Sequence, residues 1–275
     1  SHVQQIWAGL SQSRFHHVLS KEFVQHFENL IEIDVGWSNM TRINGDAFER
    51  CDKLEVISIQ GNRFLTGIPS SLFKHCQILR VLMISSNDLR SLQTESFEGL
   101  SNLEELFMGW NPIDTLPNGI FSNLTSLRIL AMDSCRLTVL NPEWFNGLVS
   151  LTSVNLFGNE ITHIPRGTFN DSQNLHTLRL NSNRINRLDS FGRLPVLHIF
   201  DIGSNRMGAI EPDFFSNFPV LYEFNANGNN CVNRRVLNVS QIDFEEDPVF
   251  NQCFANWLLT TTTSTTTIRT TTSGG

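Results

Sequence analysis

The sequence predicts an α/β solenoid, a horseshoe-shaped stack of repeats with about ten parallel concave strands and irregular or short 3-10 convex segments. Two observations predict it. Similar segments recur about every 24 residues along most of the chain. Within each segment, apolar residues at the opening position, at +3 and at +5 alternate with outward-facing residues, as in a strand with one buried face. The openings are Val3, Leu30, Leu54, Leu79, Leu103, Leu127, Leu151, Leu175, Leu197 and Leu221.

Two further columns recur once in most repeats. A phenylalanine six positions before the opening predicts a stack of rings that fills the wide outer side of the arc. An asparagine at +8 predicts a buried ladder whose amides satisfy backbone groups where the chain turns. The phenylalanines are Phe48, Phe73, Phe97, Phe121, Phe145, Phe169, Phe191 and Phe215. The asparagines are Asn62, Asn87, Asn111, Asn159, Asn183, Asn205 and Asn229.

The cysteines indicate where the chain is cross-linked. Ser38 and Cys135 replace the ladder asparagine in two repeats, and we interpret Cys135 as a free structural thiol. Cys51 and Cys76 occupy one register position in adjacent repeats, so they are either bridged or two buried thiols. Cys231 and Cys253 bracket an acidic segment, and we expect a disulfide between them.

Three regions follow from these patterns. Residues 1–229 form the solenoid, residues 230–258 form a C-terminal cap, and residues 259–275 form a threonine-rich tail. The tail contains almost no apolar residues, so we expect it to be disordered. Such a tract is typical of an O-glycosylated stalk that anchors a protein. Its small last residues also suit a lipid-anchor signal or an artificial extension.

Composition restricts the compartment and the partners. The net charge of −7 and the pI near 5.6 disfavour nucleic-acid binding. The chain has no apolar run of the length that a direct membrane span needs. Four glycosylation sequons are present, so we expect an extracellular protein, either secreted or on a cell surface. They begin at Asn39, Asn123, Asn170 and Asn238.

The sequence predicts no enzyme, no cofactor and no metal site. It lacks a phosphate-binding glycine loop, a nucleophile elbow and a zinc-ligand spacing. His176 and His198 share position +1 on adjacent strands, where they can hold a metal or respond to pH. Because no third ligand accompanies them, we interpret them as surface histidines.

Outward strand positions change character along the chain. Upstream they are apolar and include aromatic residues, and downstream they are polar. Aromatic and methionine anchors are concentrated in protein interfaces, so we predict a concave ligand-binding patch. The alternatives are that these side chains only cover neighbouring strands or face a second copy. The predicted residues are Val56, Val81, Met83, Phe107, Trp110, Ile129 and Phe157.

The pattern LxxLxLxxNxIxxLPxxxFxxLxx, at 103–124 and again at 151–169, resembles the typical extracellular leucine-rich repeat family. That family includes ectodomains of Toll-type receptors, secreted insect immune proteins and lymphocyte receptors of jawless fish. The resemblance covers residues 1–229, and the cap departs from the common four-cysteine flank. The resemblance implies an extracellular, non-enzymatic, ligand-binding protein, often in immunity or adhesion.

Two functions therefore remain open. One is recognition of a protein or microbial ligand by the concave face, with innate immunity as a setting. The other is a structural or adhesion role in the matrix or at the cell surface, in which the protein binds another copy of itself.

Overall fold

The computed structural model describes residues 4–7, 17–27, 29–239, 242, 244 and 246–269, with side chains described between residues 17 and 261. Its α-helices are α1 (Lys21–Gln25) and α2 (Pro248–Arg269). Short 3-10 helices span Thr94–Phe97, Pro142–Trp144 and Phe214–Asn217. The strands are β1 (Gln4–Trp7), β2 (Val18–Leu19), β3 (Leu30–Asp34), β4 (Arg42–Ile43), β5 (Val56–Ser58), β6 (Val81–Met83), β7 (Glu105–Phe107), β8 (Ile129–Ala131), β9 (Ser153–Asn155), β10 (Thr177–Arg179), β11 (Arg187–Leu188), β12 (Ile199–Asp201), β13 (Ala209–Ile210), β14 (Glu223–Asn225) and β15 (Arg235–Leu237).

The main sheet has eleven strands in the order β1-β3-β5-β6-β7-β8-β9-β10-β12-β14-β15. Ten of them are parallel, from β1 to β14, with equivalent positions paired across repeats. The predicted solenoid of about ten parallel concave strands is therefore confirmed. The last strand, β15, pairs antiparallel with β14, and the repeat period did not predict it.

The strand register places the apolar columns inside. In the central repeat, Leu103, Leu106 and Met108 are completely buried. Burying each side chain of this size stabilises the fold by about 1.5–3 kcal/mol. A shift of one residue would turn Leu106 into water and Phe107 inwards. The same register therefore determines which side chains form the concave surface.

The phenylalanine column packs the convex side of the core. The rings of Phe97 and Phe121 are stacked with their centroids 5.7 Å apart. Phe145 contacts Phe169 at 4.7 Å in an edge-to-face arrangement. These side chains are completely or almost completely buried, so the column is core packing.

The column is different in the last repeat. Phe214 completes it, because this side chain is completely buried and lies 5.7 Å from Phe191. Phe215, which the sequence placed in the column, is half-buried and stacks on Phe244 of the cap at 4.0 Å. The prediction for Phe215 is therefore wrong. The 3-10 helix Phe214–Asn217 turns the neighbouring ring inwards, and the cap covers Phe215.

The asparagine ladder joins successive turns. In Asn159, the Oδ1 atom accepts a hydrogen bond from the Leu137 backbone N–H at 3.1 Å. Its Nδ2 atom donates to the carbonyls of Met132 and Leu156 at 2.9 and 3.0 Å. Each complete rung thus satisfies buried backbone groups of two repeats. The other ladder asparagines also donate from Nδ2 to buried carbonyls.

The two substituted rungs bond differently. Ser38 donates its hydroxyl hydrogen to the carbonyl of Gly36 at 3.0 Å. The Cys135 thiol only approaches the carbonyls of Met108 and Asp133, at 3.8 Å each. Burial raises the pKa of the Cys135 thiol to about 11, and this cysteine is unbridged. It is therefore a protonated, weakly bonded thiol.

Two disulfides cross-link the molecule. Cys231 and Cys253 form the predicted bridge of the cap. Cys51 and Cys76 are also bridged, which decides between the two alternatives left open by the sequence. The bridges span sequence separations of 25 and 22 residues. Loops of this length correspond to about 3 kcal/mol of stabilisation each in the chain-entropy model.

Helix α2 packs against β13, which lies outside the eleven-stranded sheet. Trp257 donates its indole N–H to Asp189 at 2.7 Å, and Arg187 lies over the Trp257 ring at 5.7 Å. Asn256 donates to the carbonyl of Gly208 at 2.8 Å. These contacts attach the cap to the last repeats.

The helix continues past residue 258 to Arg269, into the region that the sequence predicts as a tail. The cap forms the first turns of α2, and extending an existing helix is easier than starting one. The Thr261 hydroxyl also donates to the carbonyls of Trp257 and Leu258. Residues 270–275 lie outside the described residues.

Candidate functional site

The predicted concave patch lies across β5, β6, β7 and β8. Val56 pairs with Val81 and Met83 pairs with Phe107, so these side chains are lateral neighbours. Each of them is half-buried, as is Ile129 on β8. The parallel register therefore joins residues from four repeats into one outward-facing apolar surface.

Trp110 and Phe157 lie beyond the ends of β7 and β9. Trp110 is 62% exposed, and its backbone N–H donates to the carbonyl of Asp133 at 2.7 Å. Phe157 is 36% exposed, and its backbone N–H donates to the Asn155 side chain at 3.2 Å. These two rings lie at the edge of the patch rather than on its strands.

Carboxylates lie among the apolar side chains of the patch. Glu105 pairs with Val81 on one side and with Ile129 on the other. Asp133 follows β8 and accepts a hydrogen bond from Asn155 at 3.2 Å. The strand register was the signal that could have located them. The patch therefore combines apolar side chains with negative charge.

In the downstream half of the concave face, polar side chains bond to other side chains of the same chain. Asp201 accepts a hydrogen bond from the Asn225 amide at 3.0 Å. Glu223 forms an ion pair with Arg235 of the additional strand β15 at 2.8 Å. These polar groups have partners within the chain, whereas the upstream apolar side chains face outwards over four strands.

Tryptophans occupy an unusual backbone position at the rim, by which we mean position +7, just beyond the end of each concave strand. Position +7, before each ladder asparagine, has a positive φ in successive repeats. Trp37 and Trp110 adopt this conformation with φ of 54° and 57°, which is uncommon for a bulky residue. Sequence reasoning missed this constraint. Its signal is the glycine or serine that most repeats hold there: Gly61, Ser86, Ser134, Gly158, Ser182, Ser204 and Gly228.

The two histidines at position +1 lie side by side. His176 and His198 stack with centroids 5.5 Å apart and an interplanar angle of 6°. Their Nδ1 atoms lie 2.7 Å from the carbonyls of Asn174 and Val196. Across the described residues, no three histidine, cysteine or carboxylate side chains are grouped as metal ligands.

The four sequon asparagines are exposed. They lie outside the interior columns of the repeats. Asn39 and Asn238 have positive φ, which asparagine tolerates better than most residues. Ser240, the last residue of the fourth sequon, lies outside the described residues. Within the described part of the chain, no helix combines the length and apolar character required to cross a bilayer.

Comparisons with known proteins agree with this architecture. A family model described as leucine rich repeat matches residues 52–113, 110–161 and 151–207, more than half of the chain. No curated protein sequence matches significantly.

Three solved structures are similar. A leucine-rich repeat protein of Leptospira interrogans has a TM-score of 0.61 at 23% identity, over 74% of this chain and 56% of that one. The leucine-rich repeat domain of APL1 has a TM-score of 0.66 at 21% identity, over 78% of this chain and 53% of that one. The leucine-rich repeat domain of APL1B has a TM-score of 0.64 at 22% identity, over 76% of this chain and 58% of that one. The chain thus spans little more than half of each neighbour, and the likeness shows the fold alone.

Proposed function

Because the chain belongs to the leucine-rich repeat family, whose domains commonly mediate protein–protein interaction, we propose that it is a non-enzymatic binding protein. It recognises a protein or microbial ligand through the concave face. The observation that carries the proposal is the outward-facing apolar surface across β5 to β8, with Met83, Phe107 and Ile129 near its centre. The resemblance of the repeat pattern to receptor ectodomains supports a role in innate immunity.

The composition of the patch supports binding. A contiguous apolar surface on a soluble protein typically marks an interaction site. Phe107 and Met83 are paired neighbours, so a partner side chain can contact both at once. Trp110 and Phe157 supply exposed aromatic rings at the edge. Aromatic side chains that become buried when a partner binds usually contribute much of an interface's binding energy.

An extracellular location is part of the proposal. Two disulfides cross-link the chain, and such bridges persist mainly in oxidising compartments. The exposed sequon asparagines Asn123 and Asn170 are compatible with N-linked glycans. Helix α2, which leads into the threonine-rich region, packs against β13, a strand outside the eleven-stranded concave sheet.

The proposed role involves no catalysis. Two of the concave carboxylates, Asp201 and Glu223, are engaged by Asn225 and Arg235. The buried thiol of Cys135 has a raised pKa, which opposes formation of the reactive thiolate. These groups therefore contribute to structure rather than to a reaction.

The test combines Phe107→Ala with Met83→Ala. Both side chains face outwards, so the double variant should fold with an unchanged circular dichroism spectrum. Its affinity for a partner purified from extracellular fluid should fall about 100-fold, which is the loss of two interface anchors. A matched control replaces the exposed Val139 and Val149, which lie outside the concave strands, by alanine.

The outcome also separates the two candidate functions. A wild-type monomer whose partner binding is lost in the double variant supports recognition. If light scattering instead shows a wild-type dimer that the double variant abolishes, the patch serves self-association and adhesion. Unchanged partner binding by the double variant would contradict the proposal.

A further inference from the structure

The tryptophans of the rim identify the chemistry of the partner, an inference that rests on the proposed function. Position +7 needs a positive φ, and glycine or serine occupies it in the other repeats of the described chain. A bulky side chain is strained there. Burial gives no compensation, because Trp37 and Trp110 are 69% and 62% exposed. Such strain at an exposed position is typical of functional residues.

The adjacent repeat supports one of these indoles. A Cβ atom added to Gly61 would lie 2.3 Å from the Trp37 ring, so the ring lies directly against the Gly61 backbone. Most of the indole nevertheless remains in solvent. Trp110 borders a depression of about 290 Å³ that is also lined by Pro112 and Ser134. Trp37 is therefore held against the neighbouring repeat, and both indoles remain largely exposed.

Charges on the concave side of these rings are negative. From β3 to β8, the outward positions +2, +4, +6 and +7 contain no lysine or arginine. Asp34, Glu105 and Asp133 form no ion pair within the described residues. The carboxylates at these positions are Glu32, Asp34, Glu105 and Asp133.

The nearest arginines do not neutralise this surface. Arg80 and Arg128 occupy position +1 and share Glu104. Arg63 and Arg136 lie two positions beyond the tryptophan column. Arg63 is placed over the Phe64 ring, and Arg136 lines the depression beside Trp110 together with Asp88. A cation is therefore attracted from the strand side of the rim.

We propose that the concave face binds a basic, extended segment of a protein partner, with lysine or arginine side chains over the indoles of Trp37 and Trp110. Tryptophan is the best aromatic partner of a cation. The two tryptophans are three repeats apart, or about 14 Å at about 4.8 Å per strand. Residues i and i+4 of an extended chain are about 13 Å apart and lie on one side, so the spacings match.

The same charges exclude other occupants. A two-fold contact brings a surface against its own copy, so a dimer through the patch would bring two negatively charged surfaces together. Nucleic acids and anionic membranes are repelled for the same reason. A basic segment with apolar side chains can contact the apolar side chains of the patch and pair with its carboxylates at the same time.

The experiment uses the full chain and synthetic amphipathic peptides labelled for fluorescence anisotropy. One peptide has arginines at i and i+4, a second has them at i and i+3, and a third carries glutamate in place of arginine. The first should bind more tightly than the second, because arginines at i and i+3 lie on opposite sides. The glutamate peptide should not bind.

Trp37→Ser with Trp110→Ser is the decisive variant. Serine occupies this backbone position in other repeats, so the variant should fold and unfold at the same or a higher temperature. Binding of the i, i+4 peptide should weaken about tenfold through loss of the cation–π contacts. Unchanged binding would refute the inference.

Asp34→Asn with Asp133→Asn tests the charges, because asparagine keeps an acceptor oxygen for Gly36 and Asn155. Binding should weaken several-fold at about 0.05 M salt and little at about 0.5 M. The control Asp114→Asn with Glu143→Gln removes the same charge from exposed positions outside the concave strands and should bind as wild type. An equal loss in this control would contradict the inference.

The two proposals fail separately. The partner purified from extracellular fluid could bind normally to the double tryptophan-to-serine variant and to the double aspartate-to-asparagine variant, but lose affinity for Phe107→Ala with Met83→Ala. That result would exclude the cationic segment and leave the apolar patch as the binding site. If a neutral oligosaccharide binds in a manner dependent on Trp37 and Trp110 and the peptide does not, the partner class is wrong. Normal binding by all variants refutes both proposals.

Discussion

Replacing Cys135 by asparagine should stabilise the protein, because it would complete the asparagine ladder. At the equivalent site one repeat later, Asn159 accepts one backbone hydrogen bond and donates two at 2.9–3.1 Å. The Cys135 thiol makes only two contacts, at 3.8 Å. By the same register, the amide of the variant would donate to the Met108 carbonyl and accept from the Ile113 N–H.

The magnitude follows from the number of bonds gained. A protein hydrogen bond contributes about 0.5–1.5 kcal/mol net. The Ile113 N–H already bonds the Asn111 carbonyl at 2.8 Å, so the gain corresponds to about two bonds. We therefore expect a stabilisation of about 2 kcal/mol. For a protein of this size, the melting temperature should rise by about 3–4 °C.

Calorimetry and urea unfolding measure this change under non-reducing conditions, which keep both disulfides intact. The reverse substitution Asn159→Cys serves as the matched control and should lower the free energy of unfolding by a similar amount. A Cys135→Asn variant that is no more stable than wild type would refute the reasoning, since it would show that the ladder contributes little beyond filling space.

Two further predictions concern the cross-links and the cap. Replacing Cys51 and Cys76 by alanine should lower the free energy of unfolding by about 3 kcal/mol, measured by urea titration; an unchanged midpoint would count against the bridge. At Asp189, burial opposes ionisation, but hydrogen bonds from Arg187 and Trp257 outweigh it and hold the pKa of the carboxyl below its usual value. The ionised carboxylate therefore favours the folded state above the unfolded pKa of about 3.9, and this contribution is lost as the pH falls through the folded pKa. The stability difference between wild type and Asp189→Asn should accordingly shrink in acid; a pH-independent difference would contradict this assignment.

The strand register was predictable because two independent requirements agree. The interior needs apolar side chains at Leu103 and Leu106, and the turn needs the amide of Asn111. Only one register satisfies both. Once it is known, the outward positions of Met83 and Phe107 follow from strand geometry.

The cap and the last repeat were less predictable, because repetition ends there. Strand β15 has three residues and no apolar period that distinguishes it from a loop. Phe214 and Phe215 are adjacent and chemically identical, so only the turn of the 3-10 helix decides which ring enters the core. The bridge between Cys51 and Cys76 was left open because a bridge and two buried thiols predict the same register position.

Parts of the candidate site depended on information that the pattern does not contain. Glu105 was visible as an outward residue, but its position between Val81 and Ile129 required paired strands. The positive φ of Trp37 and Trp110 was not visible in either tryptophan. It was visible only in the glycines and serines of the same column, which mark a backbone conformation rather than a side-chain role.

Photo-cross-linking from position 107 tests the central claim most directly. Phe107 is replaced by benzoylphenylalanine, and in a matched variant the same group replaces the exposed Val139 outside the concave strands. Each variant is illuminated in native extracellular fluid. We expect the variant at position 107 to be joined to a distinct partner protein, with little product from position 139. Cross-linking from position 139 with none from position 107 would contradict a ligand-binding concave face.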